Sequence, residues 1–151
     1  MIIVINKTNG VAIMRVSEGA NAEEALAKWM ESHSQEYISH RQGTESEIPT
    51  ERTFRNAWED TGKISVNMPK AREVHKNFLR EIRKPLFASL DVEYQIADEK
   101  ENATLKASIA DKKQLLRDVT LDSRIDEAQT PSELQAVIPD ALLPVAEVVS
   151  E

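Results

Sequence analysis

A regular apolar stripe between residues 71 and 97 constrains the fold more than any other feature of this sequence. Its members recur in steps of three or four residues, which is the spacing of one face of an α-helix. They are Ala71, Val74, Phe78, Ile82, Leu86, Leu90, Tyr94 and Ala97. Pro69 suits the first helical position, whereas Pro85 lies inside the stripe and removes a backbone hydrogen bond. We therefore expect one long helix with a kink or a brief break near residues 81–85.

A second helix is expected after the polar break at residues 99–102, where Asn102 can cap it. Its apolar stripe consists of Leu105, Ile109, Leu116 and Val119. Two amphipathic helices joined by a short loop favour an antiparallel helical hairpin. The capping box at residues 130–133 predicts a further short helix that ends near Ile138.

The first 68 residues indicate a small antiparallel sheet with one helix. Two β-branched runs, residues 2–5 and 11–16, flank Asn9-Gly10, a sequence that favours a tight hairpin turn. The first run is continuous, which is typical of a strand buried on both faces or covered by a partner. We also expect a helix capped by Asn21, strands at residues 36–40 and 63–68, and a core contribution from Phe54, Ala57 and Trp58.

The predicted fold class is therefore α+β, with three segments along the chain. Residues 1–68 form the small α+β domain, and residues 69–138 form the helical hairpin and the short helix. Residues 139–151 form an apolar C-terminal arm.

Composition excludes several functional classes. The 151 residues contain no cysteine, so disulfides, thiolate metal sites and cysteine catalysis are ruled out. No apolar run approaches the ~20 residues that span a bilayer, and the N-terminus lacks the pattern of a signal peptide, so we expect a cytosolic protein without membrane contact. The net charge of −7 argues against general nucleic-acid binding.

Catalytic and metal-binding patterns are weak. His33, His40 and His75 do not have metal-ligand spacing, and His75 lies beside the apolar stripe, where packing at the edge of the core explains it. Asp91 and Asp98 share a helix face, which suits acid–base work only in a pocket that shifts their pKa values. A solvated face, or ion pairs with neighbouring lysine or arginine side chains, is the favoured explanation of these two residues. We expect no enzymatic activity, no cofactor and no metal.

Residues 69–84 hold six basic and two acidic side chains, and Lys76, Arg80 and Lys84 recur every four residues as one ridge. This ridge is either a docking face for an acidic partner or nucleic acid, or, as we favour, a solvated face or one that pairs within the chain with the acidic C-terminal third. The apolar side chains left over from the hairpin seam must meet the N-terminal domain, the C-terminal arm or another chain. They are Phe78, Leu79, Phe87 and the leucines of the arm.

Several short motifs carry a resemblance to a known family. Residues 83–91 follow the pattern Arg-x-x-Leu-apolar-x-x-x-Asp, and Lys-Gln-Leu-Leu-Arg-Asp-Val follows at residues 113–119. Together they resemble the C-terminal helical module of small tailed-bacteriophage tail and tail-fibre assembly chaperones. Thr-Pro-Ser-Glu-Leu at residues 130–134 is similar to a run that follows this module in phage and prophage proteins. Residues 52–59 and 68–73 are similar to segments of phage proteins encoded near tail genes, and Val92 stands where the family pattern has Trp.

The resemblance implies a non-enzymatic phage protein that binds other tail or virion proteins in the host cytoplasm, as an assembly factor or a minor part of the virion. It also leaves room for a homo-oligomer. The seam and the motifs together select the candidate partner-binding residues, which are Phe78, Leu79, Arg83, Leu86, Phe87, Asp91, Arg117 and Asp118. Two alternatives stay open: a regulatory or counter-defence protein that binds a basic host factor through its acidic surface, and an enzyme that uses Asp91 and Asp98.

Overall fold

A computed structural model describes residues 1–143 of the chain, which divides into two compact units, Met1–Ala71 and Arg72–Glu151. The fold class is α+β, as the sequence predicts. The first unit contains β1 (Ile2–Lys7), β2 (Gly10–Arg15), α1 (Ala22–His33), β3 (Tyr37–Gly43), β4 (Trp58–Asp60) and β5 (Ile64–Val66). Later elements are α2 (Met68–Glu99), α3 (Ala103–Asp118), α4 (Ser123–Glu127) and α5 (Pro131–Gln135).

The sheet of the first unit is built around β1. Strands β2 and β3 both pair with β1 in antiparallel register, in the order β2-β1-β3. Ile2 and Val4 pack with Trp58 on one face, whereas the alternating residues of β1 pack with Leu26 of α1 on the other. The continuous apolar run of β1 is therefore explained by burial on both faces, which confirms the first of the two interpretations.

A buried ion pair holds the β4-β5 hairpin to this sheet. Arg41 of β3 forms a two-pronged contact with the carboxylate of Asp60, with Nη2 2.8 Å from Oδ1, and the Asp60 side chain is almost completely buried. Asn6 of β1 donates a further hydrogen bond to Asp60. The hydrogen bonds from Arg41 hold the pKa of Asp60 below its usual value, because they stabilise the ionised carboxylate.

Helices α2 and α3 form an antiparallel hairpin, as predicted. Asp91 pairs with Lys113 at 2.7 Å, and Asp98 pairs with Lys106, so residue numbers fall along α3 as they rise along α2. Asn102 caps α3 by accepting a hydrogen bond from the backbone N–H of Leu105. Helix α2 is continuous through Pro85, so the alternative of a brief break there is wrong. A kink at this position stays a prediction.

The buried stripe at the start of α2 differs by one residue from the predicted one. Val74 is only half-buried and Phe78 is 41% exposed, whereas His75 and Leu79 are buried. The imidazole Nε2 of His75 lies 2.8 Å from the carbonyl oxygen of Val137. An analysis of apolar spacing passes over a histidine, so it selected the neighbouring positions instead.

The segment after α3 also departs from expectation. Helix α4, capped by the Asp122 side chain, was not predicted. Helix α5 begins at Pro131 as expected but ends at Gln135, three residues before the expected end at Ile138, whose helical backbone is disfavoured by the proline that follows. In the expected C-terminal arm, Leu142 is completely buried, and residues 144–151 lie outside the described part of the chain.

Across residues 1–143, no helix has the length and hydropathy needed to cross a membrane.

Alanine substitutions at neighbouring positions test which face of α2 is buried. We expect Leu79→Ala to lower the free energy of unfolding by about 2–5 kcal/mol, because it leaves a cavity in a fully buried site. Phe78→Ala, one residue away, should cost clearly less, because this side chain is already 41% exposed. Urea unfolding followed by circular dichroism at 222 nm measures both, and equal losses would contradict the observed phase.

Candidate functional site

Arg83 of α2 joins the two helices at the end of the hairpin that lies away from the connecting loop. Its Nη1 donates hydrogen bonds to the backbone carbonyl oxygens of Leu116 (3.0 Å) and Arg117 (3.1 Å), in the last turn of α3. Carbonyl groups there lack partners within the helix and lie at the negative end of its dipole, so a cation stabilises them. Arg83 thus contacts the backbone of α3 rather than a carboxylate, and the Asp118 side chain accepts a hydrogen bond from Gln114.

Phe87 lies between two guanidinium groups. The Cζ atoms of Arg83 and Arg117 lie 5.7 Å and 5.8 Å from the centroid of its ring, within the range of cation–π attraction. One arginine belongs to each helix, so this cluster joins α2 to α3 beside the hydrogen bonds of Arg83. The structure thus brings three of the predicted partner-binding residues together.

An apolar groove opens between the two helices and has a volume of about 320 Å³. This hairpin groove is lined by Leu86, Ser89, Leu90, Glu93, Lys112, Leu115, Leu116 and Ala141. Leu90 and Leu116 are its buried floor, whereas Leu115 is 61% exposed. Leu86, a predicted partner-binding residue, is half-buried in its wall.

A second groove of about 510 Å³ shares Leu115 and Ala141 with the first. Its lining includes the carboxylates of Asp118, Asp122 and Asp140, and Leu121 beside them is 77% exposed. We call it the acidic groove. Arg124 hydrogen-bonds to Asp122 and holds the pKa of that carboxyl below its usual value, because the cation favours the ionised form. The two grooves together form a surface with apolar and anionic parts.

The other predicted partner-binding residues lie apart from this surface or inside the protein. Asp91 is bound by Lys113, and the ring of Phe78 lies beside that of His75. Leu79 is completely buried, so it belongs to the core. The sequence did not lead us to Leu115, which is the exposed leucine in the lining of the hairpin groove. The signal was available, because adjacent leucines at positions 115 and 116 cannot both face the same side of a helix.

The groups considered for catalysis or metal binding have local partners. Asp91 and Asp98 each pair with a lysine of α3, as one of the two interpretations held. The ring of His33 stacks on Trp29 at 4.5 Å, and His40 Nδ1 lies 2.8 Å from the hydroxyl of Tyr37. Within residues 1–143, no group of three carboxylate or imidazole side chains is arranged to hold a metal ion.

The basic ridge of α2 is paired within the chain. Lys76 lies 3.7 Å from carboxylate oxygens of both Glu73 and Asp126. Lys84 lies 2.6 Å from Glu81, and Arg80 donates a hydrogen bond to Asn77. These contacts favour the interpretation of the ridge as a solvated, internally paired face.

Comparisons with protein-family models, with curated proteins and with solved structures found no match. The resemblance to phage assembly proteins therefore rests on the sequence motifs alone.

His75 gives the second unit a pH-dependent stability. Burial lowers its pKa, because the interior disfavours the charged imidazole. The unfolded chain takes up the proton near the ordinary pKa of about 6.5, before the folded protein does. Stability is therefore complete above this pH and falls as the pH drops toward the lower folded-state pKa.

We expect the wild-type chain to lose up to about 1 kcal/mol of unfolding free energy from His75 between pH 6.5 and 5.5. His75→Gln should lack this part of the pH dependence, whereas the exposed control His40→Gln should retain it. Urea unfolding at several pH values measures the slopes. The same slope in His75→Gln as in the wild type would show that His75 is not responsible.

Proposed function

We propose that this chain is a non-enzymatic protein of tailed bacteriophages that binds other tail or virion proteins. It would act in the host cytoplasm during assembly, and it would either leave the particle or remain as a minor virion component. The hairpin groove carries the proposal, because it is an open apolar surface in a chain whose motifs resemble those of tail assembly chaperones.

The exposed leucines supply the driving force for binding. Leu115 and Leu121 are 61% and 77% exposed and line the two connected grooves. Burying a leucine side chain completely gains about 1.5–3 kcal/mol, so a partner that covers both recovers a substantial part of a moderate binding energy. Contiguous exposed apolar surface of this kind marks protein interaction sites more often than isolated exposed residues do.

The motifs that carry the resemblance lie where Arg83 and Arg117 join the two helices. Residues 83–91 and 113–119 contribute Arg83, Phe87 and Arg117, which join the helices, as well as four of the leucines of the groove. A recurring pattern of this kind is explained by the need to hold the groove open in one register. It requires no catalytic role for its arginine or aspartate residues.

The charges of the acidic groove indicate which side chains a partner would present to it. Asp118 and Asp140 lie beside exposed leucines, and Arg124 is already bound to Asp122. A complementary segment therefore presents apolar side chains to the hairpin groove and basic side chains to the acidic groove. The same feature favours the second candidate function, in which a basic host protein is the partner of a phage regulatory or counter-defence protein.

The groove can be tested with two matched substitutions. Leu115→Asp places a charge in the hairpin groove, whereas Val92→Asp places one at a similarly exposed aliphatic position that does not line it. We expect Leu115→Asp to weaken partner capture at least tenfold and Val92→Asp to leave it unchanged. Affinity capture from infected cells, with the recovered proteins quantified by mass spectrometry, measures both.

The identity of the captured proteins separates the two candidates. Recovery of tail or virion proteins supports the assembly function, and recovery of host proteins alone supports the regulatory one. Equal capture by wild type and Leu115→Asp would remove the groove from either function. Sedimentation of the purified chain shows whether a second copy occupies the groove.

Gradient-purified particles provide an independent test. A fixed number of copies relative to the major tail protein would identify a virion component. Presence in assembly intermediates but not in particles would identify a transient assembly factor. Absence from both would contradict the proposal.

A further inference from the structure

Three arginines converge on a small pocket in the first unit. The pocket has a volume of about 50 Å³ and is lined by residues of β2, of β4 and of the irregular segment that precedes β4. Its lining residues are Ile13, Arg15, Ile48, Arg52, Arg55 and Trp58, and we call it the arginine pocket. None of these lining residues is acidic.

The positive charge of this pocket is only partly neutralised. Arg15 forms a two-pronged contact with Glu45, with Nε 2.7 Å from Oε1. Among the described residues, Arg52 and Arg55 have no ion pair or side-chain hydrogen bond. The charge of Arg52 is partly compensated by its Coulombic attraction to Glu45, in a segment, residues 1–68, that carries seven basic and ten acidic side chains.

A buried hydrogen-bond donor contributes to the same pocket. Trp58 is 1% exposed, and its indole N–H has no acceptor among the described residues. Buried polar groups without a partner are rare in folded proteins, because each costs about 1–3 kcal/mol. Trp58 lines this pocket together with Arg52 and Arg55, and such a set of donors suits a bound anion.

We propose that the arginine pocket binds a carboxylate, supplied by an acidic side chain of a partner protein. A guanidinium group presents two parallel N–H donors that match the two oxygens of a carboxylate, as Arg15 already shows with Glu45. The volume also suits this group. One water-sized group needs about 10–15 Å³, so the pocket of about 50 Å³ has room for the atoms of a carboxylate.

This inference does not rest on the proposed function. The pocket lies in the first unit, whereas the hairpin and acidic grooves lie in the second. Carboxylate binding can therefore be present or absent whatever the hairpin groove binds. The position also gives a role to the motif Arg-Thr-Phe-Arg-Asn-Ala-Trp at residues 52–58, which supplies two of the arginines and the indole.

The chain offers a direct probe, because it contains two tryptophans, Trp29 and Trp58. The ¹⁵N-labelled full chain therefore gives two indole N–H signals. We expect titration with sodium propionate, at constant ionic strength held with sodium chloride, to shift the Trp58 signal along a saturating curve. Trp29 packs on the opposite face of the sheet, so its signal should stay in place and serve as the internal control.

Substitutions test whether the arginines are responsible. Arg52→Gln/Arg55→Gln should weaken the propionate response of Trp58 at least tenfold, and each single variant should weaken it partly. Lys28→Gln removes an exposed charge from α1, which packs on the opposite face, and should have no effect. All three arginine variants change exposed side chains, so the dispersion of the spectrum should be preserved. A loss of dispersion in the double variant makes the single variants the deciding measurement.

Several results would overturn the proposal. They are a linear shift of the Trp58 signal, an equal shift of both indole signals, and a response that survives in the double variant. Saturation by inorganic phosphate at lower concentration than by propionate would overturn the assignment to a carboxylate.

Discussion

The hydrogen bonds from Arg83 to the last carbonyl groups of α3 are the contact on which the hairpin groove depends. Exposed ion pairs such as Asp91–Lys113 contribute only about 0–1 kcal/mol each. They favour one alignment of the two helices but add little to the stability of the hairpin. Arg83 satisfies carbonyl groups that the helix itself leaves unpaired, and its guanidinium also lies near the ring of Phe87. With this end of the hairpin fixed, Leu90 and Leu116 form the floor of the groove, and Leu115 is left exposed on its wall.

Helical spacing in the sequence was sufficient to predict this hairpin but not its details. The steps of three and four residues identified both helices, and Asn102 marked the start of the second. The same method put Phe78 on the apolar stripe instead of Leu79, because the buried residue in the preceding turn is the polar His75. Hydrogen bonding to the carbonyl group of Val137, 62 residues away, makes that burial possible, and local spacing cannot show such a contact.

In the first unit, too, the features set by neighbouring residues could be predicted, whereas contacts between residues far apart in the sequence could not. The Asn-Gly turn and the β-branched runs predicted the β1-β2 hairpin, and the unbroken apolar run of β1 indicated burial on both faces. The ion pair between Arg41 and Asp60 and the arginine pocket join residues that are far apart in sequence. Arg15 reaches the pocket from the end of β2, whereas Arg52 and Arg55 come from the irregular segment before β4. Only the folded chain brings these charges together.

The exposed leucines of the second unit would also promote self-association unless the rest of its surface opposes it. A contiguous apolar groove favours association with itself as well as with a partner, and neighbouring like charges oppose self-association. Glu93 and Lys112 border the hairpin groove, and the carboxylates of the acidic groove follow directly. Two copies that met through this surface would bring their acidic grooves close together, whereas a partner with basic side chains would neutralise them. The arrangement of charges therefore favours a different protein over a second copy as the occupant of the groove.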